Sequence, residues 1–297
     1  MPQWKGKTRG GKFGYLFFIY LIRYLGVGAA YTFLYFVVAY FLLFARKASS
    51  AIKDFARKGL GYNRWEAWKL SCRNFYSLGQ ILIDKMAILN GMNDRYEFEF
   101  ENYEPFLNVL NADCGVVMIG AHVGNWECGA PFFGSYGKKI NVVMFDAEYR
   151  SIKEVLEENK NIESDYKVIP VNADSLSHVF LINDAIQKNE YVCFQGDRYV
   201  NEDKLLYADF LGHRAAFPAG PFLLATRMKT PIVFYYAMRE KGRKYTFHFE
   251  VIEPIKRSKE VKAEEVLLNR YVESLERIVK RYPEQWFNYY KFWECDK

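Results

Sequence analysis

The chain has 297 residues, of which 51% are hydrophobic and 26% charged, and it carries a formal net charge of +6. This length is enough for a sizeable core, and the composition excludes both a disordered chain and a polytopic membrane protein. The charge is uneven, because residues 1–60 hold ten basic side chains and one acidic one, a net charge of +9 that leaves −3 for the other 237 residues. The basic character therefore belongs to the N-terminal segment.

Residues 24–45 form an uncharged apolar run of 22 residues. As a helix this run would extend over roughly 30 Å, about the thickness of a bilayer core. A second apolar run, Phe13 to Ile22, precedes it, and Arg23 separates the two. The basic "FARKASS" that follows does not resemble the small-residue site of a cleaved signal peptide.

Two membrane arrangements fit this pattern. One is a single span with its C-terminal side in the cytoplasm, and the other is a helical hairpin that dips into one leaflet, with its break near Arg23 to Gly28. Both predict residues 1–47 as a membrane-anchoring segment. Residues 48–297 are then expected to form a single α/β domain, with a helical lead-in over 48–94.

The rest of the chain alternates between helical and strand patterns. Helical spacing covers 48–92, with a break at Gly61-Tyr62-Asn63. Short apolar runs at 114–121, 139–145, 167–171, 190–196 and 230–239 are typical of buried strands, with helical stretches at 150–160, 175–189 and 219–229 between them. This order predicts an α/β fold, a mixed and largely parallel sheet flanked by helices.

Two final elements close the predicted domain. Residues 244–253 alternate strictly and suggest an edge strand, and residues 263–283 have the pattern of an amphipathic helix that Pro283 ends. The five cysteines lie far apart, without a CxxC or a Cys/His cluster, so neither a metal site nor a disulfide framework is indicated.

The stretch "GAHVGNWECG", residues 120–129, follows a predicted buried strand. In open α/β sheets, sites form at the carboxyl ends of strands. His122 and Glu127 would lie about 140° apart around a continuous helix, so they can meet only if the chain turns at Gly124-Asn125. A carboxylate bonded to one imidazole nitrogen would leave the other free to take a proton from a hydroxyl. From these residues alone, a structural histidine beside a helix-start glutamate is an equal alternative.

The segment "HVGNWE" resembles the H-x4-D/E motif of the lysophospholipid acyltransferase superfamily, and its Gly-Asn-Trp-Glu form is similar to the branch of lipid A secondary acyltransferases. The N-terminal apolar segment agrees with that family. Residues 195–239 resemble its later block, an aspartate-containing loop, a hairpin, a helix and a Pro-led strand. "YPEQWFNYYKFW", residues 282–293, resembles its C-terminal Pro-Glu-Gln signature.

The resemblance implies roles for individual residues. His122 would be the general base and Glu127 its partner. Weaker candidates for oxyanion or substrate binding are Gly124, Asn125, Arg150, Asp197, Arg198, Phe217 and Gly220. Arg150 is the preferred arginine, with Arg198 and Arg227 as rivals. The loop reads Gly-Asp-Arg here, where the family has an Asp-x-Asp-like sequence.

The resemblance also implies an activity. The protein is expected to move a long fatty acyl chain from a thioester, acyl carrier protein or CoA, to a hydroxyl of a lipid A precursor or related glycolipid. It implies no metal, cofactor or nucleic acid, and a catalytic domain on the cytoplasmic side of the bacterial inner membrane. Alternatives are O-acylation of another membrane lipid, an aminolipid, a pigment or a glycoside, and an inactive membrane scaffold of the same fold.

Overall fold

A computed structural model describes residues 11–293 except 90, 130–132, 135, 146–165, 172–175, 200–203, 254 and 256–261. Its helices are α1 (Gly11–Phe44), α2 (Arg46–Lys58), α3 (Arg64–Leu89), α4 (Tyr103–Asn111), α5 (Ser177–Gln187), α6 (Ala219–Met228) and α7 (Ala263–Arg281). Its strands are β1 (Glu97–Glu101), β2 (Val116–Gly120), β3 (Ile140–Phe145), β4 (Tyr166–Val171), β5 (Tyr191–Gln195), β6 (Leu205–Phe210), β7 (His213–Pro218), β8 (Ile232–Arg239) and β9 (Lys244–Ile252).

Seven strands form one mixed sheet in the order β1-β9-β8-β2-β5-β3-β4. The strands β8, β2, β5, β3 and β4 are parallel to one another, β9 runs antiparallel to β8, and β1 is parallel to β9. All five residues of the central β2 are buried, as expected for a strand covered by helices on both faces. The predicted α/β fold with a largely parallel sheet is confirmed.

The prediction that residues 244–253 form an edge strand is wrong. These residues form β9, which is hydrogen-bonded to β8 on one side and to β1 on the other. The edge strand on this side of the sheet is β1, with the sequence "EFEFE". Alternation alone does not distinguish the two positions, because the polar residues Thr246 and His248 alternate with apolar ones in β9 and are nevertheless buried.

The predicted helix over 150–160 lies outside the described residues, whereas the other predicted helices appear within a few residues of their expected bounds. Strands β6 and β7 form a separate antiparallel hairpin that turns at Leu211 and Gly212. This hairpin leads directly into α6. The chain then re-enters the main sheet as β8.

Helix α1 is two helices joined at a break. Gly26 has φ 82° and ψ 168°, a conformation that only glycine adopts readily. The rings of Phe17 and Phe33 lie 4.8 Å apart, although 16 residues of straight helix would separate them by roughly 24 Å. The two apolar runs therefore fold back on each other as a hairpin, with the break inside the predicted 23–28 range.

Among the described residues, 17–44 form the one helical segment that is long and apolar enough to cross a membrane, with a mean hydropathy of 2.0. Its inner side packs on α3 through Val27, Ala30, Leu34 and Val38, while many of its aromatic side chains are exposed. The hairpin is thus attached to the domain along one side and presents an apolar surface on the other.

Candidate active site

The site is built on two neighbouring parallel strands. In the register of β2 and β5, Gly120 is paired with Gln195. His122 and Asp197 each follow two residues later, so both leave the sheet at the same edge. The adjacent carboxyl ends of these strands bring the two side chains together, which is where an open α/β sheet places its functional groups.

The carboxylate of Asp197 contacts both the ring and the backbone N–H of His122. Its Oδ1 lies 2.7 Å from the imidazole Nδ1 of His122. The backbone N–H of His122 donates to both carboxylate oxygens at 3.1 Å. Trp286 donates its indole N–H to Oδ2 at 3.2 Å. The carboxylate is therefore enclosed by donors, and the ring of His122 is fixed relative to it.

Asp197 is buried, with 1% of its side chain exposed, whereas 20% of the His122 side chain is exposed. Burial opposes ionisation of Asp197, but the charge of His122, its hydrogen bonds and the nearby Arg198 outweigh burial and lower the pKa of the carboxyl. An ionised Asp197 accepts a hydrogen bond from Nδ1–H, which leaves Nε2 as the basic nitrogen of the neutral ring.

The loop that carries His122 is held by the C-terminal segment. Residues Val123 and Trp286 form an antiparallel bridge. The N–H of Gly124 donates to the carbonyl of Gln285 at 3.0 Å, and the N–H of Phe287 donates to the carbonyl of His122 at 2.9 Å. The "PEQWF" sequence thus forms part of the site, since it anchors the loop and supplies the tryptophan that binds Asp197.

Gly124 is required by this arrangement. It has φ 57°, and a Cβ at this position would lie 2.0 Å from the carbonyl oxygen of Ala237. The next residue, Asn125, is buried, and its backbone N–H donates to that same carbonyl at 2.8 Å. The glycine lets the loop approach β8, and the close contact turns the chain toward Glu127.

Glu127 has different partners from those expected. It lies in a short 3-10 helix, Trp126–Gly129, where its Oε1 accepts a hydrogen bond from the hydroxyl of Tyr166 at 2.9 Å. Its Oε2 forms an ion pair with the ammonium of Lys85, on α3. Among the described contacts, the carboxylate next to the His122 ring comes from Asp197.

Among the remaining predicted residues, Arg198 directly follows Asp197, whereas Phe217 lies on β7 and Gly220 and Arg227 lie on α6. The guanidinium of Arg198 donates to the carbonyl of Phe287, and Phe217 is fully buried among other aromatic rings. Gly220 and Arg227 are exposed on α6. Arg150 lies outside the described residues.

An apolar cavity adjoins the motif. Its walls include Met118, Trp126, Phe133, Ile140, Phe194 and Tyr235. Gly120 and Tyr166 also line it, so it lies between the end of β2 and the tyrosine that binds Glu127. Within the described part of the chain, no group of three or more His, Cys, Asp or Glu residues is arranged to hold a metal ion.

Cys128 directly follows the motif but is not suited to act as a nucleophile. It is buried, and its thiol donates to the carbonyl of Asn125. Burial, together with the negative charges of Asp84 and Glu127, raises its pKa well above the ordinary value. Since the thiolate is the reactive form, this cysteine is held in its unreactive state.

Three contributors to the site were not identified from the sequence. Trp286 was noted only within the C-terminal signature, whereas Lys85 and Tyr166 carried no signal. Lys85 lies in a helix whose pattern indicates packing, and Tyr166 begins a short strand. Their proximity to Glu127 depends on how α3 and β4 pack, which no local pattern encodes.

The fold and site define the class of protein: an α/β protein with a partly exposed histidine paired to a buried carboxylate at the end of its central strands, and an apolar helical hairpin at its N-terminus. Residues 6–294 match the family model described as bacterial lipid A biosynthesis acyltransferase. The chain belongs to this family, and the family indicates acyltransferase activity. A comparison with curated proteins finds no significant match.

Proposed function

We propose that the protein transfers a long fatty acyl chain from a thioester donor to a hydroxyl of a membrane lipid, with His122 as the general base and Asp197 as the carboxylate that orients it. The observation that supports this most directly is the 2.7 Å contact between Nδ1 of His122 and Oδ1 of Asp197. This contact leaves Nε2 to face the acceptor hydroxyl.

In the proposed reaction, Nε2 takes the proton of the acceptor hydroxyl as its oxygen attacks the thioester carbon. A tetrahedral intermediate forms, whose oxyanion needs hydrogen-bond donors in a site with little water. Its collapse breaks the C–S bond, and the protonated His122 returns its proton to the leaving sulfur. The products are an ester and a free thiol, so the enzyme ends in its starting protonation state.

Glu127 keeps a place in the proposal, as a positioning residue. Through Tyr166 and Lys85 it ties the motif to β4 and α3 beside the apolar cavity. This role differs from direct partnership with His122, and the two roles predict different losses on substitution. From the resemblance, we retain Arg150 as the proposed oxyanion arginine.

By the habit of the family, we propose acyl carrier protein or CoA as the thioester donor and a lipid A precursor or related glycolipid as the acceptor. The cavity beside Trp126 is lined mainly by apolar side chains, and we propose that the acyl chain lies on this side of the motif. The proposed location is the cytoplasmic face of the bacterial inner membrane, with the N-terminal hairpin as the anchor.

The test compares His122→Ala, Asp197→Asn and Glu127→Gln in acyl transfer to lipid substrates. We expect His122→Ala to lower kcat by at least about 10²-fold, the usual effect of losing a general base. Asp197→Asn should approach this loss, because an amide neither fixes the tautomer nor stabilises the charged ring. Glu127→Gln should cost less than either. Folding of each variant is checked by circular dichroism.

An inactive Glu127→Gln variant together with an active Asp197→Asn variant would instead support Glu127 as the catalytic partner of His122. A folded His122→Ala variant with unchanged transfer would reject the mechanism, whereas a folded wild-type protein without transfer would favour the inactive scaffold. Lipid mass spectrometry of cells with and without the gene identifies the acceptor and the acyl chain.

A further inference from the structure

One face of α3 carries a continuous apolar stripe that α1 covers only in part. Trp65, Trp68, Tyr76, Gly79 and Ile83 recur at helical spacing and so lie on one face. Toward the C-terminal end of α3, this face is covered by α1. The ring of Tyr35 stacks on Tyr76 at 4.8 Å, and Leu34 packs closely against Gly79.

Helix α1 ends before the apolar stripe on α3 does. Helices α1 and α3 run antiparallel, since Tyr31 contacts Asp84 while the later Phe41 contacts the earlier Phe75. Helix α1 ends at Phe44, so the first turns of α3 project beyond it. As a result, Trp65 is 58% exposed and Trp68 is 43% exposed, with their rings stacked 4.8 Å apart at an interplanar angle of 9°.

Basic side chains are frequent on α3 beside the stacked pair and on α2, which packs against α3. Residues 46–73 carry eight Lys/Arg against two acidic residues. The exposed ones are Arg46, Lys47, Arg57, Lys58, Arg64, Lys69 and Arg73. Both acids are engaged, because Asp54 pairs with Lys58 and Glu66 accepts the N–H of Asn63. The ammonium of Lys69 lies 5.1 Å from the centre of the Trp65 ring, which gives a cation–π contact.

We propose that this surface, the Trp65–Trp68 patch, is a second membrane contact that lies in the headgroup layer of an anionic bilayer. Tryptophan is enriched at that depth because one edge of its ring is apolar and the other carries an N–H. Exposed lysines and arginines beside it are attracted to anionic headgroups. The inference rests on the proposed membrane association of the N-terminal hairpin.

Two observations favour a lipid surface over a soluble acidic partner. The patch continues the exposed apolar side of α1, where Tyr40, Leu43 and Phe44 are exposed, so one surface extends from the hairpin to the patch. Its exposed cations lie on α3 with the aromatic pair and on the neighbouring α2, as the basic border of a membrane contact would require. The lipid would touch the aromatic rings and its headgroups the basic rim.

The patch also has a structural route to the site. It adjoins α2, whose Phe55 packs edge-on against Trp286 with ring centres 4.8 Å apart, and Trp286 binds Asp197. Contact of the patch with the bilayer would therefore set the orientation of the domain, and with it the approach of a membrane-embedded acceptor to His122. A substrate dispersed in detergent would not need this orientation.

The first test measures tryptophan quenching in the full chain, reconstituted into vesicles of phosphatidylglycerol and phosphatidylcholine with brominated acyl chains. We expect strong quenching of the wild-type protein and clearly weaker quenching of Trp65→Phe/Trp68→Phe. Adding Phe180→Trp to that double variant provides the control, because Phe180 is an exposed ring on α5, which packs on β4 and β5. The emission added by this tryptophan should stay unquenched.

The second test measures acyl transfer by Trp65→Ala/Trp68→Ala. With acceptor in anionic vesicles we expect a loss of about 5- to 10-fold, from weaker surface attraction, and with acceptor in detergent a change of less than about 2-fold. Leu176→Ala/Phe180→Ala, which removes two exposed apolar side chains from the α5 region, is the matched control and should leave both rates unchanged.

The outcomes separate this inference from the proposals on which it rests. If both proteins float with the vesicles and are quenched equally, the proposed lipid contact of the Trp65–Trp68 patch is rejected, while membrane association of the protein still holds. Failure of both proteins to float overturns membrane association itself. A change in Trp65–Trp68 emission on adding acidic acyl carrier protein, without lipid quenching, makes the patch a protein-binding surface and overturns the inference. Quenching is read independently of acyl transfer, so an inactive wild type would reject only the proposed reaction.

Discussion

At the scale of single residues, the site depends on where Asp197 lies and on what surrounds it. Its carboxylate accepts hydrogen bonds from the ring and backbone of His122 and from the indole of Trp286. Because burial disfavours a charge, these donors and the charge of His122 are what keep it ionised. The same contacts that orient the imidazole therefore stabilise the folded protein.

This linkage predicts a pH dependence. The pKa of Asp197 is lower in the folded protein, so its contribution to the free energy of unfolding is complete above the ordinary carboxyl pKa of about 4 and is lost as pH falls further. We expect Asp197→Asn to be destabilised at neutral pH, and the difference from wild type to narrow in acid. Urea unfolding between neutral and acidic pH measures both.

The matched control is Asp184→Asn, which alters an exposed carboxylate paired with Lys188 on α5. Exposed pairs contribute little, so this variant should follow the wild-type curve. A constant difference between wild type and Asp197→Asn at every pH would contradict the assignment.

Gly124 gives a second prediction at this scale. Replacing it with alanine places a Cβ against the carbonyl of Ala237 in a backbone conformation that alanine rarely adopts. The expected cost is about 1–3 kcal/mol, with displacement of the His122 loop and loss of activity. Thermal unfolding and acyl transfer measure the two effects. Gly134→Ala is the control, because a Cβ there meets no neighbouring atom, and a Gly124→Ala variant as stable as wild type would contradict the argument.

At the scale of elements, the break at Gly26 decides how the N-terminal apolar segment is arranged. The contact between Phe17 and Phe33 shows that the two halves of α1 lie side by side. If the hairpin enters one leaflet, both of its ends remain on the same side of the membrane. A single span would place them on opposite sides.

The expected result is that Lys12→Cys and Lys47→Cys react with an impermeant maleimide from the same side of sealed membrane vesicles, above the labelling of the parent protein. Labelling from opposite sides would establish a span. Gly26→Ala should weaken the hairpin because of the φ of 82° at this position. Gly28→Ala, within the second half of the helix, is the control.

At the scale of the whole molecule, a buried polar cluster around Asp84 joins the hairpin to the domain. This carboxylate is fully buried, pairs with Nε of Arg239 at 2.8 Å and accepts the hydroxyl of Tyr245 at 2.6 Å. The hydroxyls of Tyr96 and Tyr31 also bind it, the latter from α1. One side chain of α3 thus connects α1, β8 and β9.

Removing the charge of Asp84 should lower the free energy of unfolding. Asp84→Asn leaves the guanidinium of Arg239 buried without its counter-charge, and we expect a loss of about 3–5 kcal/mol. Asp84→Leu combined with Arg239→Met removes both charges and should recover much of it. Chemical unfolding of the three proteins measures the effect, and a stable Asp84→Asn variant would show that the pair contributes little.

Much of the fold was readable from local patterns. Strands β2, β3, β5 and β8 appear as short apolar runs because both faces of a central parallel strand are buried, and the edge strand β4 shows a similar run although it is only partly buried. The break at Gly26 lies within the Arg23 to Gly28 range of the helical hairpin, one of the two arrangements that the sequence left open. The place of β9 inside the sheet was not predicted, because it depends on pairing with β1, a strand whose alternating acidic sequence suggested no partner.

By itself, the sequence determined the class of fold, the apolar N-terminus and the placement of His122 at the end of a strand, since each follows from the order and spacing of residue types. Only the tertiary structure decided which carboxylate lies beside His122. Glu127 is five residues away along the chain and Asp197 is 75 residues away, yet the pairing of β2 with β5 brings Asp197 to the ring. Proximity in this site is set by strand register, and register is a property of the folded sheet.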